Sequence, residues 1–249
     1  MLIIQARFEI NRFCFYDIIM EEVTILYQDD DLIFANKPSG LLVHRDQGHA
    51  QDNVTLMSLV RDKVGQYVHA VNRIDRPVSG IVLFTTKREL IKAIKNDWAS
   101  ENTQKEYIAL AKGKKLERGA FEFALKSDDG SLKEARTEFI PLFEFATTTL
   151  YKIKINTGRK HQIRRHFSRR CMNIIGDTCY GKGEFNRKFR SEFGLYRIFL
   201  HSYRLKMIHP ISLVSLDITC QLPSELVGVL GQMGLFSDEL NKVIAQNHW

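Results

Sequence analysis

Cysteine is scarce and scattered in this sequence: Cys14, Cys171, Cys179 and Cys220 are the four thiols, and no two form a CxxC pair. So low and irregular a count speaks against a disulfide framework or a zinc site and fits buried thiols in a reducing compartment. Metal-ligand spacing is missing as well. His161 and His166 stand five apart with Gln162 after the first, whereas helical zinc ligands need a four-residue step and an adjacent Glu, so no metal is implied. No apolar run approaches the roughly 20 residues needed to span a bilayer. The apolar start MLIIQARFEINRFCFYDIIM is interrupted by Gln5, Arg7, Glu9, Asn11 and Arg12 and so lacks the continuous core of a signal peptide. A cytoplasmic location without membrane contact is expected. Internal repeats, low-complexity linkers and a GxGxxG are also absent, and the GKG of Gly181 to Gly183 is a lone loop signal.

What is present is an ordinary globular composition. The 249 residues are 44% hydrophobic and 26% charged, enough for one large domain with a substantial core. The net charge of +7 fits a polyanionic partner, since basic side chains displace the counterions condensed on phosphates. Charge alone fits a merely basic soluble protein equally well. Met20, followed by EEVTILYQDD, is a candidate first residue, which would make residues 1–19 an extension upstream of the true start.

Runs rich in β-branched and aromatic residues predict strands at VTILYQ, LIFANK, YVHAVN, IVLFTT, EYIALAK, TLYKIKIN, YRIFLHSYRLKM and LVSLDITC. Turn signals separate them: Asp29 to Asp31, Pro38-Ser39-Gly40 and Asp128-Asp129-Gly130. Apolar residues recurring at three and four predict helices over 53–64, 87–100, 160–170 and 223–233. The order is no regular βαβ alternation, so the expected class is α+β with a large mixed, mostly antiparallel sheet flanked by helices.

Three segments are candidates for chemistry. In HAVNRIDRPVSGIVLF an apolar strand runs into Arg73, Asp75 and Arg76 before Pro77 and Gly80 break the chain. A carboxylate between two arginines on a strand-framed loop suits catalysis, and suits a surface ion cluster too. In TGRKHQIRRHFSRRCMNIIGDTCYG, the stretch from Gly158 to Arg170 holds Arg159, Lys160, Arg164, Arg165, Arg169 and Arg170 and no acid. That density suggests phosphate contact, or else a solvated basic helix. Helical spacing puts Ile163 and Phe167 toward the core, His161, Arg165 and Arg169 on another face, and Arg164 flanking the apolar side, where it could enter a cleft. In QKEYIALAKG, period-two alternation puts Lys105 and Tyr107 on one face. A tyrosine beside a cleft can stack on an unpaired base; a core tyrosine is the commoner case.

Taken together, ILYQDDDLIFANKPSGLLVH, NRIDRPVSG, KEYIALAKG, TGRKHQIRRH with IIGDTCYG, and LHSYRLKMIHP resemble the RluA-type pseudouridine synthases in order and content over residues 23–210. The resemblance implies the pseudouridine synthase fold with a central RNA-binding cleft, and isomerisation of uridine to pseudouridine in RNA without a cofactor. TGRKHQIRRH, the insertion carrying Asn186-Arg187 and FGLYRIFLHS are most similar to family members that act on the acceptor and T-stem region of tRNA, conventionally position 65. Ribosomal RNA, another tRNA position and a non-catalytic RNA-binding role are the alternatives. By the same resemblance Asp75 matches the catalytic aspartate, and Tyr107 the tyrosine that stacks on the flipped uracil. Arg164 matches the arginine that pairs with the aspartate, and Arg73 the arginine that fills the space left by the flipped base. Arg76, Lys105, Arg159, Lys160, His161, Arg165 and Arg169 complete the expected RNA contacts. Asn72, Ile74 and Val78 depart from the family's usual His, Leu and Thr. Expected boundaries are an extension over 1–19, a catalytic domain over 20–236 and a tail over 237–249, in a monomer.

Overall fold

The computed structural model describes residues 23–45, 54–114 and 117–249. Cys14, Met20 and the expected extension 1–19 lie outside them. The chain divides into two compact units, the first ending at Lys92 and the second running from Ala93 to Trp249.

In the first unit β1 (Ile25–Gln28) turns into β2 (Leu32–Lys37) at the aspartate run. Asp29 makes the turn: its Oδ1 accepts from the N–H groups of Asp31 and Leu32 at 2.9 and 2.7 Å. Helix α1 (Leu56–Val64) starts at a reciprocal cap, in which Thr55 Oγ1 accepts from Ser58 N–H and Ser58 Oγ from Thr55 N–H. It ends at Gly65, whose φ of 68° suits glycine. Strand β3 (His69–Ala70) pairs antiparallel with β4 (Ser79–Thr85), as does β2. β4 is buried along its whole length. Ile33, Ala35, Val82 and Phe84 of the strands pack on Leu56, Leu59 and Val60 of α1, the three-and-four spacing that predicted the helix. The strand expected over YVHAVN is reduced to two residues: Val71 N–H still donates to Leu83 O of β4, and beyond it the chain turns into the loop carrying Asp75.

Helix α2 (Leu90–Asp97) contains the division between the units. The second unit continues with β5 (Gln104–Lys112), β6 (Gly119–Phe121), the small hairpin β7 (Leu125–Lys126) and β8 (Leu132–Lys133), β9 (Thr137–Glu144) and β10 (Thr148–Ile155). Then come α3 (Gln162–Arg169), α4 (Gly183–Phe193), β11 (Leu200–Ile208), β12 (Ser215–Thr219), α5 (Ser224–Gln232) and α6 (Ser237–Gln246). Its sheet runs β12, β11, β5, β10, β9, β6, with every neighbour antiparallel. The expected α+β class with antiparallel sheet and flanking helices is what the chain forms.

Three elements differ from expectation. β9 carries Pro141, which demotes a run to edge or non-strand on sequence grounds. It is interior here, and the register shifts between Leu150 and Tyr151, next to the Tyr151 that faces Pro141, so the proline sits at an irregularity that spares the ladder. α4 reads as a polar insertion, yet its Phe189 is buried and Phe185 and Phe193 pack on the same core. The expected tail from 237 is folded as α6, with Leu240 and Ile244 buried beside Leu226 and Leu230 of α5.

Two buried histidines give the fold a pH dependence. His166 Nε2 lies 3.1 Å from Phe123 O, and His201 Nε2 lies 3.0 Å from Cys220 O. Burial pushes each ring's pKa down from 6.5 to about 4, against the hydrogen bond to the carbonyl. Above pH 6.5 both rings are neutral whether the chain is folded or unfolded, and neither costs stability. Between 6.5 and 4 only the unfolded chain takes up these protons, so stability falls with pH by about 1.4 kcal/mol per unit for each ring. Urea melts at intervals from pH 7 to 4 should show this loss, and His201→Gln should shrink it.

Candidate active site

Asp75 lies on the loop between β3 and β4, half-buried, with Arg73 and Arg76 exposed on either side. The loop has no regular pairing of its own and is held from beneath. Lys37, at the end of β2, is fully buried, and its ammonium donates to the carbonyls of Pro38, Leu41 and Arg76 at 2.8, 2.8 and 3.0 Å. Arg76 Nε donates to Gly40 O, Gly40 N–H donates to Arg76 O, and Ser39 Oγ donates to Pro77 O. These bonds zip the Pro38-Ser39-Gly40 turn to residues 76–77. Asn72 completes the frame, its Oδ1 accepting from Leu83 N–H at 2.8 Å. Asn72, one of the three residues that depart from the family pattern, is thus a strut for the loop. Val78 N–H donates to Asp75 O at 3.0 Å and closes a turn, so the backbone under the carboxylate is fixed before any substrate arrives.

In the second unit Tyr107 and Lys105 share one face of β5, as alternation predicts, and both are buried. Lys105 Nζ donates to the carbonyls of Trp98 and Asn156 and lies 5.1 Å from the Trp98 ring centre. Burial pushes its pKa down to about 8. Held on these carbonyls, the ammonium ties β5 to the segments around it.

The chain between β10 and α3 is organised by Gln162. Its Oε1 accepts from Thr157 Oγ1 and Arg159 N–H, and its Nε2 donates to Arg136 O and Thr137 Oγ1. This side chain works as a staple between the helix start and β9. His161 enters the helix with φ of 53° and places Nδ1 3.0 Å from the Tyr180 hydroxyl. Ile163 and Phe167 face the core as expected. Arg159, Lys160 and Arg169 are exposed and Arg165 half-buried. Lys160 pairs with Asp128 from the β7–β8 hairpin, and Arg159 Nε donates to Glu134 O.

Arg164 is buried. Its Nε and Nη2 donate to Asp177 Oδ2 and Oδ1 at 2.8 and 2.9 Å, a bidentate pair that fixes the plane of the guanidinium. Asp177 is itself almost fully buried, and its Oδ1 also accepts from the N–H groups of Cys179 and Tyr180. Burial alone would raise its pKa; the bonds from Arg164 and the two N–H groups outweigh that and hold the carboxyl below its ordinary range. Lys37, Asn72, Gln162 and Asp177 were not candidates on sequence grounds. For Lys37 the signal was a lysine closing a strand whose first four residues are apolar; for Asp177, thirteen residues from Arg164, there was none.

The family model described as RNA pseudouridylate synthase matches residues 31–169. Several curated relatives carry the name tRNA pseudouridine synthase C, among them the following three. That of Pectobacterium carotovorum subsp. carotovorum is 35% identical over 84% of this chain, a match spanning 62% of that protein, less than two thirds of its length. That of Vibrio parahaemolyticus is 35% identical over 77% of this chain and 87% of its own. That of Haemophilus ducreyi is 32% identical over 86% and 96%. Among solved structures, human RNA pseudouridylate synthase domain containing 4 superposes with a TM-score of 0.68 at 21% identity, over 84% of this chain and 92% of that one. Human RNA pseudouridylate synthase domain containing 1 does so at 0.69 and 18%, over 92% and 96%.

Proposed function

Because the chain belongs to the RNA pseudouridylate synthase family, we propose that it isomerises uridine to pseudouridine in tRNA, at position 65 in the acceptor and T-stem region. The observation that carries the reading is that Asp75, Tyr107 and Arg164 all fall inside the matched span 31–169, while relatives named for tRNA align over most of the chain. Asp75 is the catalytic carboxylate of this proposal and Arg164 its charge partner. Tyr107 stacks on the detached uracil and assists the loss of its proton.

The reaction breaks the N1 to C1′ bond, turns the base, joins C5 to C1′, and moves the C5 proton to solvent while N1 regains one. Nothing is oxidised and no co-substrate is consumed. An anionic oxygen starts bond cleavage, and confinement of the free uracil prevents an abasic site. A stem uridine must first be flipped out, at a cost of a few kcal/mol in stacking and pairing, and Arg73 offsets part of it by filling the gap. Arg76, Arg159, Lys160, His161, Arg165 and Arg169 hold phosphates on either side, with Lys105 supporting the tyrosine strand. The protein acts as a monomer in the cytoplasm. Among the described residues no helix is long and apolar enough to cross a membrane; of the thiols expected to be buried, Cys220 is, whereas Cys171 and Cys179 are exposed.

Incubation with an unmodified tRNA transcript, followed by carbodiimide labelling and primer extension, tests this. One stop in the T-stem is expected; product on ribosomal RNA alone would move the substrate. A binding prediction accompanies it. Arg187, Lys188 and Arg190 are exposed on α4. Replacing all three with Gln should weaken tRNA binding and lower the slope of log K against log salt by about 1 per residue. An unchanged slope would remove α4 from the RNA surface.

A further inference from the structure

Helix α4 is joined to the Arg164–Asp177 pair through one amide. Asn186 Oδ1 accepts from Gly176 N–H at 2.9 Å, and its Nδ2 donates to Asp177 O at 2.8 Å. The side chain therefore grips the backbone on both sides of the peptide that carries Asp177. A carboxamide of this length meets both demands, a donor and an acceptor side by side; an Asp could meet only the second and a Leu neither.

The turn it grips is packed tightly. Gly176 has φ of +79°, and a Cβ there would lie 1.9 Å from Arg197 O; a Cβ on Gly181 would lie 2.1 Å from Asp177 O. The turn is therefore folded on itself at Gly181 and pressed against the Arg197 backbone at Gly176, with Asn186 bonded to both Gly176 and Asp177. α4 is in turn anchored at Asn186 by Phe189, buried about one turn further on, and by the neighbouring Phe185, which packs on the same core. Rigid support of this kind decides where a bidentate carboxylate points, and the carboxylate decides where the guanidinium lies.

We propose that Asn186 is a positioning residue: it holds the Asp177 turn so that Asp177 orients Arg164 for the reaction. The proposal rests on the pseudouridine synthase reading and on Arg164 acting in it. Losing the Asn186 grip shifts the Asp177 turn by a fraction of its hydrogen-bond length, and the chemical step depends steeply on placement. RNA affinity, carried by exposed cations, does not depend on it. Positioning thus appears in the rate constant and is absent from the binding constant.

The test is single-turnover pseudouridine formation on a tRNA transcript with saturating enzyme, measured beside the tRNA Kd and the melting temperature. The proteins are wild type, Asn186→Leu, Asn186→Asp and Phe193→Ala. Asn186→Leu should lower the rate constant about 10- to 100-fold with Kd unchanged. Asn186→Asp should fall between Leu and wild type, because it keeps the acceptor for Gly176. Phe193→Ala removes a ring from the last residue of α4, two turns beyond Asn186, and leaves the Asn186 bonds and the buried Phe189 in place; it should lower the melting temperature and keep the wild-type rate constant. The proposal is overturned by a wild-type rate in Asn186→Leu or, should that variant not fold, in Asn186→Asp. Rate losses that track melting temperature across Asn186→Leu and Phe193→Ala would overturn it too, since that is ordinary structural damage. A wild-type protein inactive on every RNA offered would sink the underlying reading instead, so the two failures are distinct.

Discussion

Asp75→Asn should abolish pseudouridine formation, lowering the single-turnover rate by about 10⁴-fold or more, in the range seen when an essential nucleophile or base is removed. The substitution is nearly isosteric. The turn beneath it is closed by a backbone bond from Val78 N–H to Asp75 O, which the amide retains. The surrounding loop is held by Lys37, Ser39 and Asn72, none of which is altered. Folding and tRNA binding should therefore survive. A filter-binding Kd equal to wild type beside a lost rate would locate the defect in the chemical step. Residual activity within tenfold of wild type would mean that another group starts cleavage.

The second large effect is expected at the buried ion pair. Arg164→Met and Asp177→Leu should each destabilise the protein by about 3–5 kcal/mol, because either change strands the other charge away from water. The double variant should recover much of that loss, since neither charge then remains. Chemical denaturation of the four proteins in the cycle measures the coupling directly. Losses that simply add would show that the two side chains do not depend on one another. Activity should be lost in all three variants. Asp177→Asn is the finer probe: it keeps the acceptor for Cys179 and Tyr180 N–H while weakening the bond to the guanidinium.

Local chemistry carried much of this structure. The aspartate turn at 29–31, the three-and-four apolar spacing of α1 and the core spacing of Ile163 and Phe167 each follow from side chains acting on their own neighbourhood, and each was readable. β9 was not, because Pro141 is tolerated only through a register shift supplied by β10. α4 was not, because its phenylalanines are interspersed with charges and only the core they reach explains them. Among the candidate residues, Asp75, Tyr107 and Arg164 came from resemblance; spacing alone left a surface ion cluster and a core tyrosine open. The supporting residues stayed hidden for a physical reason. Lys37 and Asp177 act through partners distant in sequence, Arg76 and Arg164, and a sequence shows neither the burial nor the partner. Lys160 illustrates the converse, an exposed cation in a basic run whose acidic partner, Asp128, comes from another hairpin.

The most direct test of the central claim follows the atom that the reaction must expel. Joining C5 of the uracil to C1′ releases the C5 hydrogen to water, so a tRNA transcript carrying tritium at C5 of its uridines reports turnover without separating products. Wild-type protein, given no metal or nucleotide, should release the tritium of one uridine per tRNA, and Asp75→Asn should release none. Equal release by both proteins, or none by either on tRNA and ribosomal RNA alike, would contradict the account.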